Sequence, residues 1–299
     1  MQDVKAKEKG FVHSVWQAVL DFKLLVKFRL SLTVVFSSLL GFLIAANGPM
    51  DWYAFGVLAL GGFLVTGAAN ALNQVLEKEY DRLMQRTANR PLAAGRMRVA
   101  DAVLIAGMMS LAGISLLALF NPWTAFLGMA ALLMYAFVYT PLKRIGPIAV
   151  FVGAFPGALP TLIGAAAAEG SITALGVSLF AIQFFWQFPH FWSIGWLGYE
   201  DYTRAGYRLL PGRFGVRDNE TGLQAFLYAI PLIFLSLLPY AVGASGLISA
   251  GCIVLMSVFY AVLGWNLYRR NNRRAALQLM FFSFFYIPVV LIALWMDKI

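Results

Sequence analysis

The sequence predicts an all-α, polytopic membrane protein, and three observations carry that prediction. Hydrophobic residues make up 61% of the 299-residue chain and charged residues only 12%, about half the charged share of a soluble domain. Nine apolar runs are each long enough, at roughly 20 residues, to cross a bilayer. Every Lys and Arg except Lys298 lies in the N-terminal arm, in alternate loops or at their edges, as cytoplasmic segments require.

The runs fall at 28–46, 53–75, 101–120, 122–140, 147–167, 173–195, 222–242, 246–267 and 276–296. Asn-Pro-Trp at 121–123 and Gly-Ala-Ser at 243–245 leave room only for tight helical hairpins. Helices this continuous exclude a separate soluble domain, so 1–299 reads as one integral-membrane domain with 1–27 as a cytoplasmic or interfacial arm. The opening "MQDVKAKEKG" mixes charges and leads into "FVHSVWQAVLDFKLLVKF". That stretch lacks a signal-peptide cleavage pattern and the acid-poor character of an organelle transit peptide, and it reads as an amphipathic lead-in at the interface.

With the N-terminus cytoplasmic, the inside loops lie near 76–100, 141–146, 196–221 and 268–275, and an odd helix count puts the C-terminus outside. The net charge of +9 is therefore a topological signal. Spread over several loops, it is not gathered with readout elements as nucleic-acid binding requires, so no nucleic-acid partner is expected. The single cysteine, Cys252, excludes an intramolecular disulfide and reads as a small buried hydrophobe.

Two inside connections are unusually polar. The first begins while the second run is still helical, in "NQVLEKEYDRLMQRTANRPL". Asn73, Glu77 and Asp81 are four apart and share one helix face, with Asn70 about one turn earlier. Their hard oxygens suit Mg²⁺ bound together with phosphate. Glu79 points away from that face and pairs with Lys78 or Arg82. Arg82, Arg86 and Arg90 follow at the same spacing until Pro91 ends any helix, and guanidinium groups suit bidentate contact with diphosphate. An ordinary juxtamembrane stop signal with i,i+4 ion pairs explains the same spacing, and on spacing alone both readings stay open.

The second connection, "FFWQFPHFWSIGWLGYEDYTRAGYRLLPGRFG" at 184–215, likewise runs from a span into Glu200 and Asp201, then Arg204, Arg208 and Arg213. It echoes the first at the same membrane face. Within the span, Gln183, Gln187 and His190 share a helical face, and such polar groups face a cavity or a partner helix. His190 reads equally as an interhelical hydrogen bonder, a haem-iron ligand or a proton carrier. Lys143 and Arg144 in "YTPLKRIGP" sit on another inside loop.

The Asn73-Glu77-Asp81 pattern followed by "MQRTANRPL", together with "YTPLKR" and "WQFPHFW...EDYTRAGYRLLP", resembles the UbiA superfamily of intramembrane prenyltransferases. Within it the chain is most similar to the protohaem IX farnesyltransferase, or haem O synthase, branch. The resemblance covers about residues 25–296 and implies a UbiA-like bundle around a central cavity, in a bacterial inner membrane. It implies that Asn73, Glu77, Asp81 and Asp201 form the catalytic motif, with Glu77, Asp81 and Asp201 holding Mg²⁺. Glu77 departs from the commoner Asp, and Ala205 stands where quinone prenyltransferases carry a second Asp, a thinner motif that suits the haem branch.

On this resemblance, Asn70, Arg86, Arg90, Lys143, Arg144, Arg204 and Arg208 are expected at the substrate, with Gln187 and His190 toward haem. Farnesyl diphosphate would alkylate a vinyl group of haem b and water would complete haem O. Haem is then a substrate, not a prosthetic group, and a haem A synthase is a candidate partner. Aromatic faces able to stabilise cationic character are Tyr135, Phe151, Phe155 and Trp186. Two other readings compete. A quinone-type aromatic prenyltransferase would share the metal motif, with Gln187, His190 and the missing second Asp against it. A transporter or haem carrier without catalysis would explain the spans and His190, but not two acidic, Arg-flanked stripes on one face.

Overall fold

The computed structural model describes residues 16–212 and 215–299; Arg213 and the opening 15 residues lie outside them. A first helix, α1, covers 16–25. The long helices that follow are α2 (Phe28–Ala45), α3 (Trp52–Asp81), α4 (Val99–Ala118), α5 (Pro122–Leu142), α6 (Ile148–Glu169), α9 (Glu220–Ala241), α10 (Leu247–Arg270) and α11 (Arg273–Met296). Among the described residues these eight are long and apolar enough to span a membrane. A ninth, α7 (Ala174–Leu197), has the length at 24 residues but carries Gln183, Gln187 and His190. The short α8 (Tyr199–Arg204) follows it. The chain is a multi-pass membrane protein.

Local chemistry sets the helix ends. Asp51, Asn121, Thr173 and Asn272 each accept a backbone N–H of the first turn of α3, α5, α7 and α11, satisfying donors that the helix itself leaves free. Asn271, at φ 38, turns the chain sharply between α10 and α11. Near its end α5 passes through a π-helical stretch at Met134–Tyr139. Such a bulge re-aims side chains, and here it sets Tyr135 and Tyr139 side by side with ring centroids 5.4 Å apart.

Two buried apolar clusters run through the bundle, one shared by α2 to α6 and one by α2, α6, α7, α9, α10 and α11. They meet where α2 crosses α6, and small residues make that crossing possible. A Cβ on Gly41 would collide with the Thr161 carbonyl, and one on Gly164 with the Ser38 carbonyl. Backbones approach this closely in membranes only where side chains are absent or small. Gly164→Leu is therefore expected to cost about 1–3 kcal/mol through overpacking, read as a lower melting temperature in detergent. Gly56→Leu, where a Cβ meets nothing within 4 Å, should leave it unchanged.

Several expectations are corrected at this level. The Arg82–Arg90 stripe is not helical, because α3 ends at Asp81 and the next ten residues form turns. The physical reason is a fold-back onto Asp81: Thr87 Oγ1 donates to its carbonyl at 2.9 Å and Arg90 to its carboxylate. Cys252 is half-exposed rather than buried. Glu79 does face outward, 2.6 Å from Arg82 and 3.9 Å from Lys78.

Candidate active site

The polar face of α3 points into protein. Asn70, Asn73, Glu77 and Asp81 are at most 3% exposed, so every polar atom on this stripe needs a partner. Glu77 accepts from Lys143 Nζ at 2.8 Å. Asp81 takes a forked contact from Arg90 Nη1, at 2.8 and 2.7 Å. Asn73 donates to Thr140 Oγ1 at 3.0 Å and accepts from Lys27 Nζ at 2.8 Å. Asn70 donates to Ser31 Oγ at 3.2 Å and accepts from Tyr135 OH at 3.3 Å. The stripe thus joins α3 to α2 and α5 at one end of the bundle.

Asp201 on α8 stands beside the turn that follows α3. Its Oδ1 lies 3.5 Å from the Gln85 backbone N–H and 3.3 Å from Arg204 Nη1. Tyr202 receives Arg86, whose guanidinium lies 5.7 Å from the ring centroid and donates to the hydroxyl at 3.3 Å. The two polar connections therefore meet. Arg144 packs over the Tyr80 ring at 4.1 Å and donates to the Leu76 carbonyl. Arg208 is exposed and lies against Gly215 rather than on the acidic stripe.

Two residues enter the site without a sequence signal. Lys27 holds a left-handed backbone conformation, φ 46 and ψ 56, which costs energy for a side chain with a Cβ. The surrounding backbone is clamped in place: Gln74 Nε2 donates to the Leu24 and Leu25 carbonyls, and Ser31 Oγ to that of Val26. The result aims the Lys27 Nζ at Asn73. Burial, then repulsion from Arg90 and Lys143, holds the Lys27 pKa well below its ordinary value against the pull of Glu77 and Asp81. Its position in "LLVKF" reads only as a positive-inside flank.

Tyr207 is the second. It is 3% exposed, stacks on Tyr80 at 5.7 Å and has no hydrogen-bond partner for its hydroxyl. Burial and the nearby Glu77 and Asp81 charges push its pKa up, so the phenol stays a donor. The hydroxyl is turned toward the Glu77 carboxylate, so it adds a buried donor beside the acidic stripe.

Deeper in the bundle, the face expected for α7 splits. Gln183 and Gln187 donate to the Gly157 and Ala154 carbonyls of α6, each at 3.0 Å, and Gln187 sits where any Cβ on Gly157 would fall. His190 turns the other way, to Ser283 of α11 at 2.7 Å. Phe151 and Phe155 join Phe184 and Phe188 in an aromatic cluster. Trp186 lies instead on His190, and Tyr135 faces Lys27.

The fold is a helical membrane bundle in which buried carboxylates and cations converge at one end. The chain belongs to the UbiA prenyltransferase family, whose model matches residues 34–286, and it is a prenyltransferase. Among curated relatives it is similar to protoheme IX farnesyltransferase of Cytophaga hutchinsonii, 44% identical over 92% of this chain and 96% of that protein. It is also similar to the protein of that name from Flavobacterium johnsoniae, 44% identical over 95% and 96%.

Solved structures share the fold. A digeranylgeranylglyceryl phosphate synthase aligns with TM-score 0.79 at 19% identity, over 94% of this chain and 98% of that one. A UbiA homolog from Archaeoglobus fulgidus, bound to DMAPP and Mg²⁺, aligns with TM-score 0.69 at 14% identity, over 92% and 99%.

Proposed function

We propose that the protein transfers a farnesyl group from farnesyl diphosphate to a vinyl group of haem b, with addition of water, giving haem O and diphosphate. The observation that carries this reading is the likeness to four curated proteins named protoheme IX farnesyltransferase, each 41–44% identical over at least 92% of this chain. The quinone-type and transporter readings have no comparable support.

The donor set fits Mg²⁺. Among the described residues no three His, Cys, Asp or Glu side chains converge as a metal cage. Mg²⁺ characteristically takes one or two carboxylates together with substrate phosphate oxygens, and the hard oxygens one turn apart on α3 suit that mixed ligation. Glu77, Asp81 and Asp201 are the residues that would hold it, and when bound it supplies positive charge against the diphosphate.

The chain's own cations complete the neutralisation. Arg90 and Lys143 stand on the carboxylate stripe, and Lys27 Nζ and the Tyr207 hydroxyl add buried donors beside it. As the allylic C–O bond breaks, its electron pair stays on diphosphate oxygen, and donors aimed there lower the barrier. The vinyl π electrons of haem b form the new bond to the farnesyl C1. Water adds to the cationic carbon left beside the ring and loses a proton, leaving a hydroxyethylfarnesyl group. The apolar bundle keeps water from the farnesyl cation until the vinyl carbon reaches it. The distribution of Lys and Arg over alternate loops supports a site at the cytoplasmic face of a bacterial inner membrane, with the N-terminus inside and the C-terminus outside.

Diphosphate release from farnesyl diphosphate is expected to require both Mg²⁺ and haem b. Release driven by a phenolic acid and not by haem b would overturn the reading. Lys27→Met is expected to lower kcat/KM for farnesyl diphosphate by about 100-fold without loss of fold, measured by the same release assay. A change within about threefold, far below the loss of an oxyanion donor, would remove Lys27 from the site.

A further inference from the structure

His190 is a polar residue of the bundle that the diphosphate chemistry does not use. Its Nδ1 lies 2.7 Å from Ser283 Oγ. Ser283 Oγ also lies 2.5 Å from the Met280 carbonyl, and with its proton donated there it accepts from the imidazole. The proton therefore sits on Nδ1, and Nε2 carries a lone pair. Among the described residues Nε2 has no hydrogen-bond partner, and it is not sealed in the core. His190 is partly exposed on α7, a largely apolar helix of the bundle, where an unsatisfied polar atom is expensive.

The ring is also held rigidly. Trp186 stacks on it with centroids 4.8 Å apart and planes 19° apart, and Phe284 meets it edge-on at 5.3 Å. Trp186 is itself fixed, since its Nε1 donates to the Ser283 carbonyl at 2.9 Å and its carbonyl accepts from Tyr260 OH at 3.1 Å. An imidazole whose far N–H is pinned by a helix-bound acceptor, with the other nitrogen bare, is the arrangement that metal-ligating histidines adopt. A pin between α7 and α11 would need only the Nδ1 hydrogen bond. Phe284, 49% exposed on α11, adds an apolar wall beside the ring, with Phe281 packed against it in turn.

We propose that His190 Nε2 is an axial ligand to the iron of haem b, fixing the acceptor in the bundle while Ser283 sets the tautomer. This rests on the reading of haem as the prenyl acceptor, and the test separates the two. Purified protein is titrated with ferric haem b and followed by absorption and electron paramagnetic resonance, alongside farnesyl transfer in the same samples. Wild type is expected to show an imidazole-ligated spectrum. His190→Phe, which keeps an aromatic of similar size, loses that signature, and added imidazole restores it. Ser283→Ala is expected to weaken haem binding by about tenfold.

A wild-type haem complex without imidazole ligation, or an unchanged spectrum in His190→Phe, overturns the assignment while transfer to haem persists. Neither haem binding nor haem transfer in wild type would instead overturn the acceptor reading, and the ligand with it. Should His190→Phe fail to fold, the wild-type spectrum and Ser283→Ala still decide.

Discussion

Glu77→Gln and Asp81→Asn are each expected to lower farnesyl-transfer turnover by about 10³-fold, the scale of losing a principal electrostatic contact in the transition state. Each keeps side-chain shape and an oxygen that can still accept from Lys143 or Arg90, so the variants should elute from detergent as folded protein. What disappears is the negative charge proposed to hold Mg²⁺ beside the diphosphate. Diphosphate release at saturating Mg²⁺ and farnesyl diphosphate checks the result. Both variants retaining turnover within a few fold would show that the stripe on α3 is an ordinary capped helix end.

Arg90→Met is expected to cost both stability and activity. Asp81 is 1% exposed and Arg90 15% in their ion pair, and removing one partner of a buried pair strands the other at a cost of about 3–5 kcal/mol. The fold-back of 82–91 onto α3 depends on the same contact. Arg86→Ala should cost less than about 1 kcal/mol, because its contact with Tyr202 is exposed and exposed contacts are worth little. The double variant Asp81→Leu with Arg90→Met separates the two roles: hydrophobic replacement of both partners restores stability while turnover stays lost. Thermal melts in detergent, run beside the release assay, read both quantities.

Much of this site was legible in the sequence because a helix carries its own geometry. Asn73, Glu77 and Asp81 share a face by spacing alone, and the structure buries that face. Glu79 was separable for the same reason. Nine apolar runs likewise anticipated the bundle, even though α7 is too polar to pass as a span by hydropathy. The errors lie where tertiary contact overrides local period. Arg86 and Arg90 sit at helical spacing from Arg82, yet the Asp81 pair ends the helix first and sends Arg90 back to it.

Gln187 and His190 are three residues apart and about 60° apart around a helix, enough to serve different neighbours, α6 and α11. Lys27 and Tyr207 stayed hidden because their placement depends on a left-handed turn clamped by Gln74 and on stacking against Tyr80. Neither contact leaves a mark in spacing or composition. The exposure of Arg208 is of the same kind, since only the packed loop shows which of several arginines faces the carboxylates.

The mass of the haem product tests the central claim most directly. Wild-type protein incubated with Mg²⁺, farnesyl diphosphate and haem b is expected to yield a haem heavier by one farnesyl group and one hydroxyl, absent with Glu77→Gln. Haem recovered unchanged, while a phenolic acceptor in a parallel sample gains the prenyl group, would contradict the account.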